Sequence, residues 1–248
     1  MGSLILALRF LTVVPVPGRE AQPTALGRAA WWFPVVGLML GALLAGAGRL
    51  IDAVFPPLVG AALLVTAWKA ATGAIHLDGL ADCLDGLAGR DRERRLAIMR
   101  DSRIGVFGAV GLALFLLLSV TALAGLSAPV RYRLLVLAPV IGRVTPILAG
   151  AWLPPATPGQ GLGAAFVASL SRWAGLAHAV GGVALAAWLL GPWGVAIAAA
   201  AWGAAMLWAG FAAVRLGGLT GDVLGAVVEL AELGVLLGGV AAIHRGLI

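Results

Sequence analysis

Long apolar runs recur along this chain and constrain its fold more than any other feature. Inside a bilayer, only helices or closed barrels satisfy the polar groups of their own backbone, and a helix of about 20 residues crosses the hydrocarbon core. The sequence therefore predicts an all-α, polytopic transmembrane helical bundle of about seven spanning helices. The candidate spans lie at about 31–50, 58–76, 104–126, 134–152, 174–190, 193–213 and 223–243.

Composition supports this class of protein. Hydrophobic residues make up 61% of the 248 residues and charged residues only 11%, whereas a soluble domain carries about 25% charged residues. Segments of about ten residues with alternating polarity, which would indicate a membrane β-barrel, are absent from the sequence. The 36 glycines suit close packing of membrane helices. No linker divides the chain, so we expect residues 1–248 to form a single integral membrane catalytic domain.

Three shorter segments complete the predicted organisation. Residues 4–16 are apolar but short and contain Arg9, which favours an N-terminal helix at the membrane interface over a spanning one. A signal peptide is the alternative, although no small-residue cleavage site follows. The segment "LLGPWG" (189–194) predicts a tight hairpin, and the proline- and glycine-rich residues 154–171 predict an irregular loop. The span at 58–76 could continue as a helix into residues 76–89.

The arginines predict the orientation of the bundle. If residues 1–30 are cytoplasmic, eleven arginines fall on the cytoplasmic side and four on the opposite side, which agrees with the positive-inside rule. The four on the opposite side are Arg49, Arg131, Arg133 and Arg245. This places the acidic segment described next at the cytoplasmic face. The net charge of +6 does not indicate nucleic acid, because the basic residues lie mainly in loops that flank the membrane.

Six of the eleven acidic residues lie within "HLDGLADCLDGLAGRDRERRLAIMRDSRIG" (76–105). On a helix, Asp78, Asp82 and Asp85 follow the spacing i, i+4, i+7 and share one face. Carboxylates this close repel one another, and a hard divalent cation such as Mg²⁺ or Mn²⁺ relieves that repulsion. The alternative is a solvated acidic face that pairs with the following arginines. The glycines at 79, 86 and 89 favour the first interpretation, because they would leave room for a ligand.

One motif in this segment partly resembles a known signature. The spacing Asp82-x-x-Asp85-Gly86-x-x-Gly89-Arg90 is similar to the opening of the CDP-alcohol phosphotransferase motif, with glycine at the position of its alanine. The second half departs from the motif, because Met99 occupies a glycine position and Asp101 lacks a second aspartate four residues later. This resemblance leaves open an enzyme that releases CMP.

A broader resemblance covers nearly the whole chain. In order along the sequence, the blocks "LRFLTVVPVPG", "WWFPVVGLMLG", "IHLDGLADCLDGL", "DRERRLAIMRDSRIGVFG", "LAPVIGRV" and "GGLTGDVLGAVVELAE" resemble the cobalamin synthase (adenosylcobinamide-GDP ribazoletransferase) family. The resemblance implies an integral enzyme of a bacterial or archaeal cytoplasmic membrane that requires Mg²⁺. Such an enzyme joins adenosylcobinamide-GDP to α-ribazole or its 5′-phosphate and releases GMP.

This resemblance and the helix geometry together suggest roles for individual residues. In the expected reaction, a ribazole hydroxyl attacks the cobinamide-linked phosphorus. Asp82 is the candidate general base. The expected metal ligands are Asp78, Asp82, Asp85 and Asp101. The expected substrate-binding residues are Arg90, Arg100 and Arg103 toward phosphate, with Asp222 and Glu229 on the opposite wall.

Several of these residues also have simpler interpretations. The arginines could be membrane-flanking anchors, and Asp222 could only cap the helix that follows "GGLT". Lys69 and His76 fall away from the aspartate face, which predicts pairing elsewhere for Lys69 and a structural role for His76. Arg143 lies within a span and needs an acidic partner that the sequence does not identify. A cation transporter lined by carboxylates is a further alternative, although the acids cluster near one end and no internal repeat is evident.

Overall fold

The computed structural model describes residues 2–17 and 25–248, and throughout these residues the chain is helical with short connections. Its eleven helices are α1 (Ser3–Leu11), α2 (Leu26–Ala30), α3 (Phe33–Asp52), α4 (Pro57–Ala71), α5 (Ile75–Gly86), α6 (Arg92–Met99), α7 (Val106–Gly125), α8 (Ala128–Trp152), α9 (Gly161–Ser169), α10 (Arg172–Leu216) and α11 (Gly221–His244). One isolated bridge between Pro155 and Leu219 is the sole β-type pairing in the described part of the chain. The predicted all-α class is confirmed.

Five of these helices are long and apolar enough to cross a membrane: α3, α7, α8, α10 and α11. The bent pair α4–α5 meets the same test when taken together. Helix α10 is counted here as one helix, but the chain folds back within it at Gly191, where φ is 62°. A Cβ on Gly182 would lie 2.9 Å from the Trp202 ring, whereas 20 residues of straight helix would separate these positions by about 30 Å. The predicted hairpin is therefore present, and α10 contributes two of the six segments that are long enough to cross a membrane without α4–α5.

Helix α8 lies at the centre of the bundle and packs against α3, α10 and α11. Its core face includes Leu134, Leu137 and Ile141, all with no exposed surface. Close packing with α3 depends on small residues, since a Cβ on Gly37 would come within 2.6 Å of the Pro139 carbonyl oxygen. Without water to drive apolar burial between membrane helices, this close backbone approach supplies the van der Waals contact that holds them together.

The structure corrects two expectations about element boundaries. The second span does not continue into the acidic helix, because Gly73 and Ala74 adopt positive φ angles of 61° and 54°. The two helices, α4 and α5, are consequently bent by 92°. The expected irregular loop at 154–171 is irregular only in its first part, since Gly161–Ser169 forms α9. The remaining predicted spans agree with the observed helices.

Candidate active site

The bend after α4 directs α5 across the beginning of α11. The two backbones nearly touch, because a Cβ on Gly79 would lie 2.8 Å from the Asp222 carbonyl oxygen and one on Gly225 would lie 3.2 Å from the His76 Cα. This crossing brings Asp78 of α5 and Asp222 of α11 to the wall of one cleft. The glycine at 79 therefore serves helix packing. We had expected it to leave room for a ligand, and it does not. Gly86 and Gly89 likewise pack against side chains of α6.

Two clefts of different character meet at Asp78, which lines both. The apolar cleft, of about 210 Å³, is lined among others by Phe10, Phe33, Asp78, Leu162, Phe166 and Asp222. The polar cleft, of about 270 Å³, is lined among others by Asp78, Asp82, Arg100, Asp101, Ser102 and Arg103. An arrangement of this kind can hold one substrate on each side of the Asp78 carboxylate.

Asp82 projects into the polar cleft from α5, a 12-residue helix that is too short to cross a membrane by itself. Burial, followed by the negative charges of Asp78, Asp222 and Asp85, raises the pKa of the Asp82 carboxyl to about 6. This pKa suits a group that accepts a proton near neutral pH. The same crowding of negative charge favours a bound cation.

The third aspartate of the predicted face has a different environment. Both oxygens of the buried Asp85 carboxylate accept backbone N–H bonds, one from Gly105 at 2.7 Å and one from Gly108 at 2.8 Å. Gly105 is the N-cap residue of α7, so Asp85 satisfies amides that α7 cannot pair internally. Its carboxylate is therefore engaged at the start of α7 and is not among the lining residues of either cleft, so it is not brought together there with Asp78 and Asp82.

The loop before α7 carries the expected fourth ligand and two of the expected arginines. Asp101 lines the polar cleft, but its oxygens accept hydrogen bonds from the Arg103 guanidinium at 3.0 and 2.6 Å. These bonds lower the pKa of the Asp101 carboxyl to about 2. Arg100 lines the same cleft, whereas the exposed Arg90 is not among its lining residues. A phosphate in this cleft could contact Arg100 and could compete with Asp101 for Arg103.

Glu229 is held away from both clefts by a buried network of charges. Lys69 of α4 pairs with Glu229 and also with Glu232, the second contact at 3.0 Å. Glu232 pairs in turn with Arg143 of α8, which is the acidic partner that the sequence did not identify. Glu229 therefore joins α4 to α11, and the structure gives it no contact with the site where we expected it to bind substrate.

Asp222 is not the residue that caps α11. The Thr220 hydroxyl accepts a bond from the Val223 N–H at 3.1 Å and fills the capping role. The preceding loop is fixed by Arg92, whose guanidinium donates to the carbonyl oxygens of Leu216 at 2.7 Å and Ala156 at 2.8 Å. The Asp222 carboxylate lines the apolar cleft and accepts a long hydrogen bond from the Thr220 hydroxyl at 3.5 Å.

Sequence reasoning missed the aromatic lining of the apolar cleft. Phe10, Phe33 and Phe166 come from α1, α3 and α9, and no spacing in the sequence links them. In a chain this apolar, a phenylalanine that faces a cleft has the same sequence context as one that faces lipid. His76 also lines this cleft; it is buried where α5 crosses α11, and the described residues provide no hydrogen bond to its ring.

The positions of the acidic residues can be compared with the Mg²⁺ site expected from the sequence. No group of three His, Cys, Asp or Glu side chains within residues 2–17 and 25–248 converges as a complete metal site. Magnesium, however, is commonly held by one or two carboxylates and completes its shell with water and substrate phosphates. Asp78 and Asp82 in the polar cleft fit this partial type of site, with Asp222 across the neighbouring wall.

Comparison with known proteins identifies the family. A family model described as cobalamin-5-phosphate synthase matches residues 3–240. The adenosylcobinamide-GDP ribazoletransferase of Pseudomonas paraeruginosa is 45% identical over 96% of this chain and 97% of its own length. That of Chlorobium phaeobacteroides is 39% identical over 97% of this chain and 98% of its own. No solved structure matches the chain. The resemblance seen in the sequence blocks is thus confirmed, and the chain belongs to the cobalamin-5-phosphate synthase family.

Proposed function

We propose that this protein is an adenosylcobinamide-GDP ribazoletransferase, which joins adenosylcobinamide-GDP to α-ribazole or α-ribazole 5′-phosphate and releases GMP. Curated relatives that cover nearly the whole chain carry that name. The structural observation that carries the proposal is the meeting of two unlike clefts at Asp78. Two clefts that meet at one carboxylate would let both substrates approach one reacting phosphorus.

Mg²⁺, or Mn²⁺ in its place, is the proposed cofactor. Asp78 and Asp82 would hold it, with Asp222 near enough to the same cleft system to contribute through water. When bound, the cation neutralises charge on the diphosphate and orients it. Asp85 is not part of this proposal, because both of its oxygens already accept backbone hydrogen bonds.

The residues of the polar cleft suggest how the chain assists the transfer. The ribazole hydroxyl oxygen forms a bond to the cobinamide-linked phosphorus while the bond from that phosphorus to the GMP oxygen breaks. Asp82, which lines the polar cleft, accepts the hydroxyl proton in this proposal. Arg100 and Arg103 bind phosphate oxygens, and Arg103 exchanges Asp101 for phosphate as its partner. GMP leaves with the negative charge.

The site is proposed to face the cytoplasm, in a protein embedded in membrane lipid. The arginine distribution predicts this orientation, and the structure removes part of the conflict with it. Arg131, one of the four arginines on the opposite side, is buried and pairs with Asp52. A neutralised, buried arginine is not a free topology signal, so the contrast between the two sides becomes larger.

The test is GMP release by detergent-solubilised protein supplied with adenosylcobinamide-GDP, α-ribazole and Mg²⁺. We expect release that requires both substrates and is abolished by chelating the cation. Assays with CDP-alcohols in place of adenosylcobinamide-GDP provide the matched control for the CDP-alcohol phosphotransferase alternative. Release of CMP in that control, without GMP release from the expected substrates, would overturn the proposal.

A further inference from the structure

The apolar cleft has an aromatic wall that the transfer reaction itself does not use. The rings of Phe10 and Phe33 stack with centroids 5.8 Å apart and planes at 16°. The rings of Phe33 and Phe166 stack at 5.6 Å and 6°. Three elements that are distant in sequence thus contribute nearly parallel rings to one wall. Flat aromatic ligands gain from such surfaces beyond the burial of apolar area.

The size of the apolar cleft restricts what it can hold. Its volume of about 210 Å³ lies below the range of about 300–1,000 Å³ that is typical of sites for drug-sized ligands. A flat bicyclic base is compatible with this space, whereas a corrin macrocycle with its side chains is much too large. Leu162, whose side chain is more than half exposed, stands at the margin of the cleft and limits its width.

The charges around the apolar cleft exclude the diphosphate from it. Among residues 2–17 and 25–248, no lysine or arginine lines this cleft, and the carboxylates of Asp78 and Asp222 would repel phosphate in the absence of a cation. The polar cleft on the other side of Asp78 carries Arg100 and Arg103. The two clefts therefore favour different chemical groups. The polar cleft favours phosphates, and the apolar cleft, on the other side of Asp78, favours a flat apolar group.

We infer that the apolar cleft binds the aromatic base of the α-ribazole nucleoside, and that Leu162 and Phe166 limit the size of base accepted. This inference rests on the proposed function. With the base against the aromatic wall, the attached ribose would lie toward Asp78, where its hydroxyl would reach the boundary of the polar cleft. The apolar cleft is then a specificity site for the attacking nucleoside, separate from the residues that handle phosphate.

The test separates the two substrates by measuring KM for each while the other is saturating. Leu162→Trp narrows the apolar cleft and Phe166→Leu removes one aromatic ring while keeping an apolar side chain. We expect each variant to raise KM for α-ribazole by about three- to tenfold, the range of aromatic contacts, with KM for adenosylcobinamide-GDP within twofold of wild type. Leu176→Ala, an exposed leucine outside the cleft, is the matched control.

A gain of function provides the complementary measurement. Leu162→Ala widens the margin of the cleft, so we expect it to accept a ribazole analogue with a larger base that wild type uses poorly. Because Leu162 is exposed, the substitution should not disturb folding, which the unfolding temperature checks. The inference is overturned if the Leu162 and Phe166 variants alter KM for adenosylcobinamide-GDP instead, which would assign the cleft to that substrate. It is also overturned if neither KM changes, as expected of a cleft filled by lipid.

Direct binding distinguishes failure of this inference from failure of the proposed reaction. Equilibrium dialysis with α-ribazole alone measures occupancy of the apolar cleft without any transfer. One outcome is that wild type binds α-ribazole, Leu162→Trp binds it more weakly, and no GMP is released. This outcome would refute the reaction and leave the cleft assignment standing. GMP release by wild type with unchanged α-ribazole binding in both cleft variants would refute the cleft assignment alone.

Discussion

Helix α11 carries acids in two contrasting environments. Near its start, Asp222 joins Asp78 and Asp82 around the clefts, and no lysine or arginine forms an ion pair with any of the three within the described part of the chain. About two turns later, Glu229 and Glu232 are buried with Lys69 and Arg143 as partners. The acids around the clefts, which have no such partner among the described residues, can receive a cation that arrives with the substrate. The acids that are paired with Lys69 and Arg143 hold helices together.

The contrast explains why proximity in sequence is a poor guide to role in this chain. Asp82 and Asp85 are three residues apart on one helix, yet Asp82 faces the polar cleft and Asp85 holds the start of α7. Removing charge from the first group should impair activity, and removing it from the second group should impair folding. Activity and stability can be measured separately, so variants of the two groups test this division.

Asp82→Asn should abolish most activity while leaving the fold intact. Loss of the general base typically costs about 10²–10⁴-fold in rate, and here a proposed metal ligand is lost as well. Because Asp82 lies among like charges, its neutralisation should not lower the unfolding temperature. GMP release and thermal unfolding in detergent measure the two effects. Normal turnover in this variant would remove Asp82 from the mechanism.

Arg143→Met should destabilise the protein by about 3–5 kcal/mol, because it leaves the buried Glu232 with less compensating charge. The control is the double variant Arg143→Met with Glu232→Leu, which leaves Lys69 and Glu229 as a balanced pair. We expect the double variant to recover most of the lost stability in denaturant unfolding. Equal stability of the single and double variants would contradict the role of charge balance.

Asp85→Ala should lower stability by about 0.5–2 kcal/mol, the usual cost of losing a helix cap. The amides of Gly105 and Gly108 lose their acceptors, so the start of α7 should unfold locally before the rest of the bundle. Hydrogen exchange at residues 105–109 measures this directly. Activity should fall less than in Asp82→Asn, and a larger loss would place Asp85 in the metal site after all.

Binding of Mg²⁺ should weaken as the pH falls below about 6, because protons compete for the Asp82 carboxyl. A pKa of 6 leaves about one-tenth of the carboxyls ionised at pH 5, which lowers the apparent affinity by about tenfold relative to pH 7. Without metal, the stability of the fold should depend on pH in the opposite direction. Because the pKa of the Asp82 carboxyl is higher in the folded than in the unfolded protein, keeping it charged destabilises the fold. The metal-free protein should therefore become more stable from pH 7 to pH 5. Both dependences should flatten in Asp82→Asn.

Much of the architecture follows from the sequence, because membrane helices are identified by the length and apolarity of single segments. The spans, the hairpin at Gly191 and the helix that bears the three aspartates were all predictable in this way. The break between α4 and α5 was not, since positive φ at Ala74 has no residue signal of its own. The phenylalanine wall was equally hidden among lipid-facing residues.

The class of fold, the family and the helix that carries the acids can be read from the sequence, because they depend on local periodicity and on ordered blocks of residues. Which acids are available depends instead on how the helices pack. Asp85 meets backbone amides, Glu229 meets Lys69 and Asp78 lines a cleft. In each case the environment of the carboxylate depends on which helix packs beside it. That neighbour comes from 20 to 160 residues away in the chain, so the partner that satisfies each carboxylate is set by helix packing.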